Sequence, residues 1–447
     1  MAMQPSIFRA YIDKYFKQTI GKITELFNNR KTEEKFLHET MLDEEDSADL
    51  TWNSTSLNHS VVAADVVSMN SSLPLKKRGT IRTASGDIAK VGMKLRMDEK
   101  AISDISVMRA KGQKEAQIAG KLLNNSALAI KGVKTRIEIM FQQALSNGYV
   151  LVSDEDNDGT GVRANFGYAD KHIFHAKGAK WSVAASATPI SDIRQMFDKA
   201  NEDGDEINEV YISKAYFDLM RKTAEVKELV AAYNNQVIIN ADNLPQPGSN
   251  KTLEALGDEF GATFHIVGGS YKYERPDGTQ VSVKPWAQGN IVGVPSAKVG
   301  RLVYGTLAED TSRVAGVNYE KSGYILVSQY SHNEPALEEI TAAQALAMPV
   351  IDDGQSIYVL HADSTGTLEI EPETLNFTAS AGTKRVTAHS DDEAVSASTV
   401  AEWLTVSAAG NVVTVKAAAN SGVERNATVT VTAGELTKTL NVVQAGA

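Results

Sequence analysis

The chain contains no cysteine among its 447 residues, and this absence excludes several kinds of chemistry. Disulfide bonds, thiol nucleophiles and zinc sites with cysteine ligands are ruled out. No stretch approaches the ~20 consecutive apolar residues that a membrane-spanning helix needs. The N-terminal sequence MAMQPSIFRA also lacks the basic region and apolar stretch of a secretory signal. We therefore expect a protein of a reducing, cytosolic compartment with no membrane partner.

Motifs of catalysis and nucleotide binding are missing as well. The chain has no G-x-x-x-x-G-K-[ST], no G-x-G-x-x-G that opens a helix, no G-x-S-x-G and no H-E-x-x-H. His172 and His175 have no acidic partner at a metal-ligand spacing, so we interpret them as hairpin residues. Catalytic triads assemble from distant parts of a chain, so these absences lower the odds of catalysis without excluding it. The sequence predicts no enzyme, cofactor or metal.

Half of a calcium-binding loop is present. Asp154, Asp156, Asp158 and Gly159 reproduce D-x-D-x-D-G, but the twelfth position, which needs a bidentate glutamate, is Asn165. The preceding YVLVS is typical of a strand rather than of the helix that such a loop follows. A hairpin turn is the favoured interpretation, and weak cation binding is the alternative.

Length and charge limit the remaining classes. A chain of this length is too long for one ordinary core, so two or three packing units are expected. The formal net charge of −11 argues against a dedicated nucleic-acid binder. The apolar fraction of 42% is that of a soluble globular protein.

The N-terminal region predicts a helix over residues 5–30. Its apolar residues recur at spacings of three and four, which makes one apolar face; they are Phe8, Tyr11, Ile12, Tyr15, Phe16, Ile20, Ile23 and Phe27. This face would dock on the chain's own body or on a neighbouring one, with membrane adsorption as a minor alternative. The acidic Asp43–Asp46 that follows is interpreted as a solvated linker.

Residues 61–97 predict a long extended excursion broken at Pro74, Gly79 and Gly86. It is rich in basic residues, namely Lys76, Lys77, Arg78, Arg82, Lys90, Lys94 and Arg96. Lysines on a solvated strand edge prevent unwanted pairing, which is one interpretation. A contact between subunits is the other, and we favour it because a two-stranded excursion is marginally stable in isolation.

The middle of the chain mixes helices and strands. Helical periodicity over 112–147 predicts a long helix, bent or broken near Asn125 and capped at Asn147-Gly148. A hairpin from YVLVS to NFGYA should follow. Over 189–234 two helices flank the strand EVYIS, and then come the short strands QVIIN, TFHIVGG, NIVGVPS and LVYGTLA. The strands GYILVSQYS and SIYVLHAD are predicted around a short helix at Ala336–Ala347.

The C-terminal region predicts a separate all-β module. From Leu368 onward, apolar residues alternate along short runs separated by Gly, Asn and Ser turns, which indicates six or seven strands of a sandwich. Residues 361–367 predict the linker into it. From 366 onward the only aromatic residues are Phe377 and Trp403, and both should be buried.

This order of elements resembles the major capsid proteins of tailed bacteriophages, the lambda-type family within the HK97-like fold. The matching stretches are TRIEIMFQQALSNGYVLVS, DEINEVYISKAYFDLMRKTAEVKELV and PALEEITAAQALAMPVIDD. The resemblance implies an α+β fold with an N-terminal arm (1–50), an E-loop region (51–100), a spine helix and peripheral domain (101–188), an axial domain (189–334), a return to the peripheral domain (335–362) and the sandwich (366–447).

The C-terminal module resembles a BACON domain, an Ig-like module common in Bacteroidetes proteins. The residues that carry this resemblance are Trp403, Asn420, Arg425, Val431, Val443, Gln444 and Gly446. It implies a phage of gut Bacteroidetes and binding of carbohydrate or mucin. Sugar sites usually need an exposed aromatic face, which this module is not expected to have.

Together these resemblances imply a non-enzymatic virion subunit assembled in the host cytoplasm. Hexamers and pentamers of the chain would form an icosahedral shell, with portal, scaffold and non-specifically held DNA as partners and an outward sandwich that binds carbohydrate. The predicted contacts between subunits are Phe8, Tyr11, Phe16, Lys76, Lys77, Arg78 and Arg82. The alternatives are an encapsulin-like shell protein, a glycan-binding surface protein and an enzyme.

Overall fold

The computed structural model describes residues 3–30, 35–57, 81–152, 162–235, 244–275, 277–333, 336–364, 368–390, 395–410, 412–433 and 436–447. The chain divides into two compact units. The first comprises residues 1–168, 268–287 and 294–357, and the second comprises 169–267, 288–293 and 358–447.

Both units contain helices as well as strands, which makes the chain an α+β protein. The helices are α1 (Arg9–Asn28), α2 (Leu37–Met41), α3 (Glu99–Ala110), α4 (Glu115–Asn147), α5 (Pro189–Asp203), α6 (Lys214–Met220), α7 (Ala224–Tyr233), α8 (Ser249–Phe260) and α9 (Ala308–Thr311). The strands up to residue 361 are β1 (Leu42–Asp46), β2 (Thr51–Leu57), β3 (Ile81–Asp87), β4 (Lys90–Met97), β5 (Tyr149–Val152), β6 (Val162–Asn165), β7 (Ile173–His175), β8 (Glu209–Ser213), β9 (Thr263–Val267), β10 (Tyr271–Glu274), β11 (Gln280–Val283), β12 (Asn290–Val294), β13 (Gly300–Gly305), β14 (Asn318–Ser322), β15 (Ile325–His332), β16 (Glu338–Ile351) and β17 (Tyr358–His361).

The first unit is a sheet covered by the long helix α4. The strand order is β1-β13-β16-β15-β14, and β4 also pairs with β16. Helix α4 packs against β16 and β4. Its approach to β4 is so close that a Cβ on Gly132 would lie 2.1 Å from the sulfur of Met93. Helix α1 packs in turn against α4 and β14, so the N-terminal helix is docked on its own chain.

Helix α4 is continuous over 33 residues, so the predicted break near Asn125 is wrong. The sequence cue was a cluster of weak helix formers, whose cost is about 1 kcal/mol or less per residue. Burial of Ile118, Leu122 and Ile130 in the same unit outweighs that cost. The predicted stop is confirmed, because Gly148 caps the helix with φ of +75°.

Strand β16 replaces the helix that the sequence predicted at Ala336–Ala347. The segment is rich in alanine and glutamate, which favour helices, but propensity is a weak prior. In the fold one edge of this strand is hydrogen-bonded first to β15 and then to β13, and the other edge is hydrogen-bonded to β4. The small side chains of Ala342, Ala343 and Ala345 are buried, which suits a strand lying beneath a helix.

Two segments that the sequence placed outside the core belong to this sheet. The acidic Asp43–Asp46 is not a linker, because it forms most of β1 and pairs in parallel with β13. The end of the predicted excursion, with Lys90, Lys94 and Arg96, is β4 and pairs with β16 of the same chain. In both cases backbone pairing orders a polar segment that hydrophobic periodicity could not place.

The second unit contains an α/β region with the strand order β7-β17-β12-β8-β9. Helices α5, α6, α7 and α8 contribute side chains to its core, among them Ile193, Phe217, Val226 and Leu256. The predicted strands EVYIS, TFHIVGG and NIVGVPS are confirmed as β8, β9 and β12. One predicted helix is instead the pair α6 and α7, and α8 was missed. The predicted strand QVIIN lies outside the described residues.

The C-terminal part of the second unit is an all-β sandwich, as predicted. Its strands are β18 (Leu368–Glu371), β19 (Thr374–Phe377), β20 (Gly382–Ser390), β21 (Ser396–Ser398), β22 (Leu404–Ala409), β23 (Val412–Ala417), β24 (Arg425–Ala433) and β25 (Leu436–Gln444). They form the sheets β18-β20-β23-β22 and β19-β25-β24-β21. These are eight strands rather than the six or seven expected.

The order of elements expected for the HK97-like fold is present: N-terminal helix, extended hairpin, long helix, second hairpin and α/β region. The compact units do not follow the predicted domain ranges, however. The axial range 189–334 is divided, because β8 and β9 lie in the second unit whereas β14 and β15 lie in the first. The names axial and peripheral therefore stay predictions.

Candidate functional site

The predicted contact residues of α1 lie mostly in the chain's own core. Phe8 and Phe16 are 5% and 4% exposed, so neither ring is available to a neighbour in this conformation. Tyr11 is half-buried. Polar contacts also hold the helix, since Asn318 of β14 donates to Asp13 at 3.0 Å and Lys14 donates to Glu115 of α4 at 2.6 Å. Contact of these three aromatic residues with another subunit stays a prediction.

The predicted basic contact lies only partly within the described residues. Strands β2 and β3 form the expected antiparallel hairpin, in which Arg82 is opposite Ser56. Lys76, Lys77 and Arg78 lie outside the described residues. The structure therefore shows the base of the hairpin and leaves the role of its basic residues a prediction.

Arg301 on β13 fastens the base of that hairpin to the sheet. Its guanidinium contacts Glu45 of β1, donates from Nε to Asp352 at 2.7 Å, and donates from Nη2 to the carbonyl of Asn53 in β2 at 3.0 Å. Burial opposes the charge, but the two carboxylates outweigh it and raise the pKa of Arg301. A planar fork of five donors is suited to three such acceptors.

The other side of the hairpin base is fixed by packing and by a buried hydroxyl. Trp52 of β2 is 5% exposed, and its ring centroid lies 5.6 Å from that of Phe166. Ser54 donates to the carbonyl of Ile351 at 2.6 Å. Both packing and hydrogen bonds therefore hold the base of the hairpin.

A buried acid joins the segment after α1 to the long helix. Glu138 of α4 accepts from the backbone amides of Leu37 and His38 at 3.1 and 3.0 Å, and from Gln142 at 2.6 Å. Its Oε2 lies 2.7 Å from Nδ1 of His38. Burial disfavours the charged form, but the hydrogen bonds from His38 and Gln142 outweigh it, so the pKa of Glu138 is lowered.

Arg425 and Gln444, two of the residues that carry the BACON resemblance, meet in the sandwich. Arg425 donates to Oε1 of Gln444 from Nε at 3.0 Å and from Nη2 at 2.9 Å. Gln444, which is 0% exposed, donates to the carbonyls of Thr378 and Ala418 at 3.1 and 2.9 Å. These hydrogen bonds connect β25, which carries Gln444, to β24, to the residue after β19 and to the turn between β23 and β24.

Asn420 and Gly446 complete the same arrangement. Asn420 donates to the carbonyls of Val423 and Ala445 at 2.7 and 3.0 Å and accepts from the amide of Gly422 at 3.1 Å. A Cβ on Gly446 would lie 2.6 Å from the carbonyl oxygen of Gly422, so only glycine fits there. With their hydrogen-bonding groups used internally, these motif residues serve the fold rather than a ligand.

The two aromatic residues of the sandwich do not offer a sugar platform. Phe377 is buried, as predicted, at 6% exposure. Trp403 is only partly buried, so that part of the prediction is wrong; it lies in the turn before β22, packed on the core. The guanidinium of Arg425 lies 4.3 Å from its ring centroid and covers that side of the indole.

The sandwich has one uncharged face, which the sequence analysis did not identify. The outward residues of β19, β25, β24 and β21 are Thr374, Asn376, Thr437, Thr439, Asn441, Val443, Asn426, Thr428, Thr430, Thr432, Ser396 and Ser398. We call these residues the hydroxyl face. The outward side of the other sheet carries charges, such as Glu371, Arg385 and Lys416.

His172 and His175 belong to no metal centre among the residues that the structure describes. His172 is buried with Nε2 2.8 Å from Asp203, and burial lowers the pKa of His172. Among the residues that the structure describes, no three His, Asp or Glu side chains converge as metal ligands. Asp154, Asp156, Asp158 and Gly159 lie outside the described residues. None of the described helices is long and apolar enough to cross a bilayer.

Comparison with protein families decides what these elements belong to. A sequence model of the family described as phage major capsid protein E matches residues 19–358, about three quarters of the chain. The chain belongs to the phage major capsid protein E family. A BACON model, described as a binding domain, matches residues 393–445 of this capsid chain. Both predicted resemblances are confirmed, and the chain is a structural component of a phage capsid.

Several solved structures of phage proteins are similar to this chain. A protein of an Escherichia coli CFT073 prophage, assigned as its capsid protein, is 14% identical with a TM-score of 0.47 over 77% of this chain and 98% of its own. A phage-related protein of Bordetella bronchiseptica RB50 is 11% identical with a TM-score of 0.44, over 81% and 99%.

A third likeness is to the capsid of cyanophage A-1(L), at 13% identity and a TM-score of 0.41, over 74% of this chain and 92% of that one. A comparison with curated proteins found no match. Membership of the capsid family therefore rests on the sequence match.

Proposed function

We propose that this capsid protein assembles with copies of itself, as hexamers and pentamers, into the icosahedral head shell of a tailed phage in the host cytoplasm. The observation that carries the proposal is the family match over residues 19–358. Portal, scaffold and packaged DNA are its proposed partners, and the sandwich projects outward, where it takes no space from the genome.

The first unit supports assembly through a rigidly based hairpin and an exposed apolar pair. Arg301 and Trp52 hold the base of β2–β3, from which the chain continues into the segment with Lys76, Lys77 and Arg78. Tyr149 and Leu151 share one face of β5 and are 48% and 53% exposed. Burial of such residues between copies stabilises a shell by about 25 cal/mol per Å².

Electron microscopy of the purified full-length chain tests assembly. Closed shells or capsomer rings are the expected result, and monodisperse monomers at high concentration would contradict it. Nucleic acid inside shells from infected cells would further separate a phage head from an encapsulin-like compartment.

The basic contact has its own test. Reversal of Lys76, Lys77 and Arg78 to Glu should block assembly and leave the circular dichroism of the chain unchanged. The matched control reverses Lys180, Lys222 and Lys438, which are exposed on other elements and change the net charge equally. Normal shells from the first triple variant, or equal loss in both, would refute the contact.

A second function, glycan binding, is proposed for the hydroxyl face. Its hydroxyls and amides repeat at about 4.8 Å across strands and about 6.8 Å along them, a regular set of donors and acceptors without charge. Such a face suits a neutral polysaccharide, and many copies on a shell would multiply a weak affinity. Glycan-array binding should favour neutral over sulfated chains and should fall in Thr430→Lys and Thr439→Lys variants, but not in Thr414→Lys on the opposite sheet. Equal binding by all three would exclude this face.

A further inference from the structure

From residue 116 to residue 135, the exposed side of α4 carries lysines and amides but no carboxylate. Between residues 116 and 135 the chain has no Asp or Glu. Helical periodicity puts the exposed residues of this stretch on one line, because the opposite side is buried under the rest of the unit. We call this line the lysine stripe; its residues are Lys114, Gln117, Lys121, Asn124, Leu128 and Lys131.

The one carboxylate at the start of the stripe is already engaged. Glu115 accepts from Lys14 at 2.6 Å and from the hydroxyl of Tyr15 at 2.8 Å, both on α1. The hydrogen bonds from Lys14 and Tyr15 lower the pKa of Glu115, which is therefore ionised and compensated by Lys14. Within the described residues, Lys114, Lys121 and Lys131 make no ion pair.

Positive charge is concentrated here although the chain is acidic overall. Residues 109–136 contain seven Lys or Arg and one Glu, whereas the whole chain has a net charge of −11. One of the seven, Lys134, is buried and paired with Glu39 and does not belong to the stripe. The stripe spans about 25 Å along a rigid helix, at 1.5 Å per residue. A solvated helix face usually mixes both signs, because carboxylate-lysine pairs at i and i+4 stabilise it. The separation of signs favours an anionic partner.

We infer that the lysine stripe binds the sugar-phosphate backbone of duplex DNA without sequence preference. A duplex carries about one negative charge per 1.7 Å of its axis, so it offers charge along the whole length of the stripe. Gln117 and Asn124 supply hydrogen-bond donors of the kind that contact phosphate and sugar. A continuous helix of 33 residues suits a rod-like polymer better than it suits a flexible acidic peptide. The choice of DNA rests on the proposed function, since a head shell encloses DNA.

Fluorescence anisotropy with the full-length protein tests the inference. Two 30-base-pair duplexes of unrelated sequence are titrated at several salt concentrations, below the protein concentration at which sedimentation shows assembly. We expect equal affinity for both duplexes. In K114Q/K121Q/K131Q, the slope of log K against log salt should fall by about 3, because each lost phosphate contact lowers it by about 0.9. The control K180Q/K222Q/K438Q, with the same change in net charge, should keep the wild-type slope.

Lysine acetylation with and without DNA, read by mass spectrometry on the unmodified chain, locates the contact independently of any variant. Protection of Lys114, Lys121 and Lys131 but not of Lys180, Lys222 and Lys438 is expected. Equal acetylation of both sets, equal loss in both triple variants, or displacement of DNA by equimolar poly-glutamate would overturn the inference. Assembly is scored separately by electron microscopy, so normal shells without DNA contact refute this inference alone, and absent shells refute the proposed function.

Discussion

The guanidinium of Arg425 donates two hydrogen bonds to the side-chain oxygen of Gln444, and this pair links the start of β24 to the end of β25. Nε and Nη2 lie 3.0 and 2.9 Å from Oε1, while the amide of Gln444 donates to carbonyls of two other segments. Glutamine satisfies both requirements because it carries an acceptor and two donors on one planar group. Two residues 19 positions apart thus connect β24, β25 and the loops beside them.

Removal of Gln444 should loosen the sandwich. Gln444→Ala removes a donor from the carbonyl of Thr378 and the acceptor from Nε of Arg425, although Arg425 still donates to the carbonyl of Ala418. We expect a cost of about 2–3 kcal/mol in the free energy of unfolding. Hydrogen exchange of β24 and β25 measures the loss locally. The control Thr439→Ala, on the exposed side of the same strand, should change exchange by less than about 0.5 kcal/mol. Equal protection in both variants would contradict the role given to Gln444.

Glu138 should be required as a carboxylate rather than as an amide. In Glu138→Gln an amide nitrogen faces donors from Leu37, His38 and Gln142, so we expect a loss of about 3 kcal/mol at neutral pH. Urea denaturation measures this loss. The exposed Glu25→Gln serves as the control and should be close to wild type.

The pH dependence of that loss follows from the lowered pKa of Glu138. A carboxyl with a lowered folded-state pKa contributes its full stability above the unfolded value of 4.5, and the contribution is lost as the pH falls further. The difference between wild type and Glu138→Gln should therefore shrink below pH 4.5. A difference that stays constant down to pH 3 would show that ionisation of Glu138 is not involved.

Asp192 should make the folded chain less stable as the pH rises, which is the opposite of the effect of Glu138. It is fully buried and accepts from the amide of Lys177 and from Nε1 of Trp181, both at 2.7 Å. Burial raises the pKa of Asp192 from 3.8 to about 6. Its ionisation therefore favours the unfolded chain, and stability falls by about 3 kcal/mol as the pH rises from 3.8 to about 6. Denaturation of Asp192→Asn across this range should lack that fall; an identical pH profile would contradict the assignment.

Arg301 should control the base of the β2–β3 hairpin. Arg301→Lys keeps the charge but cannot reach Glu45, Asp352 and the carbonyl of Asn53 together, because an ammonium is a single point of donation. We expect hydrogen exchange in Thr51–Leu57 to accelerate about tenfold, with little change in β15. Arg313→Lys is the control, since Arg313 is exposed and its ion pair with Asp310 lies within three residues. Unchanged exchange in β2 would exclude Arg301 as the fastener.

The spacing of apolar residues predicted those strands and helices in which one face is buried. Alternation in the sandwich put Val429, Val431, Leu440 and Val442 inside, and all four are 0% exposed. Helix α8 could have been found in the same way, because Leu253, Leu256 and Phe260 recur at helical spacing and Gly261 caps the helix in the left-handed conformation. Gly257 within the helix and the turn residues around it made this helical period hard to recognise. Patterns of this kind work because burial of one face is required whatever the partner is.

The sites depended on groups far apart in the chain. Arg301 meets Glu45 and Asp352 only after β13 has paired with β1 and β16, and His38 meets Glu138 across 100 positions. The alanines of β16 favoured a helix locally, and hydrogen bonds from three strands reversed that preference. None of these pairings has a signature in the local sequence.

The amino-acid order alone was sufficient for the mixed fold, the C-terminal sandwich and the exclusion of thiol chemistry, because each follows from composition or short-range periodicity, while the capsid family was reached through a resemblance. The tertiary structure decided which charged and polar groups are paired within the protein and which are exposed to a partner. The motif residues around Gln444 form hydrogen bonds within the sandwich, whereas Lys114, Lys121 and Lys131 are exposed. Coulombic and hydrogen-bond partners are chosen by distance in space, and only the folded chain sets those distances.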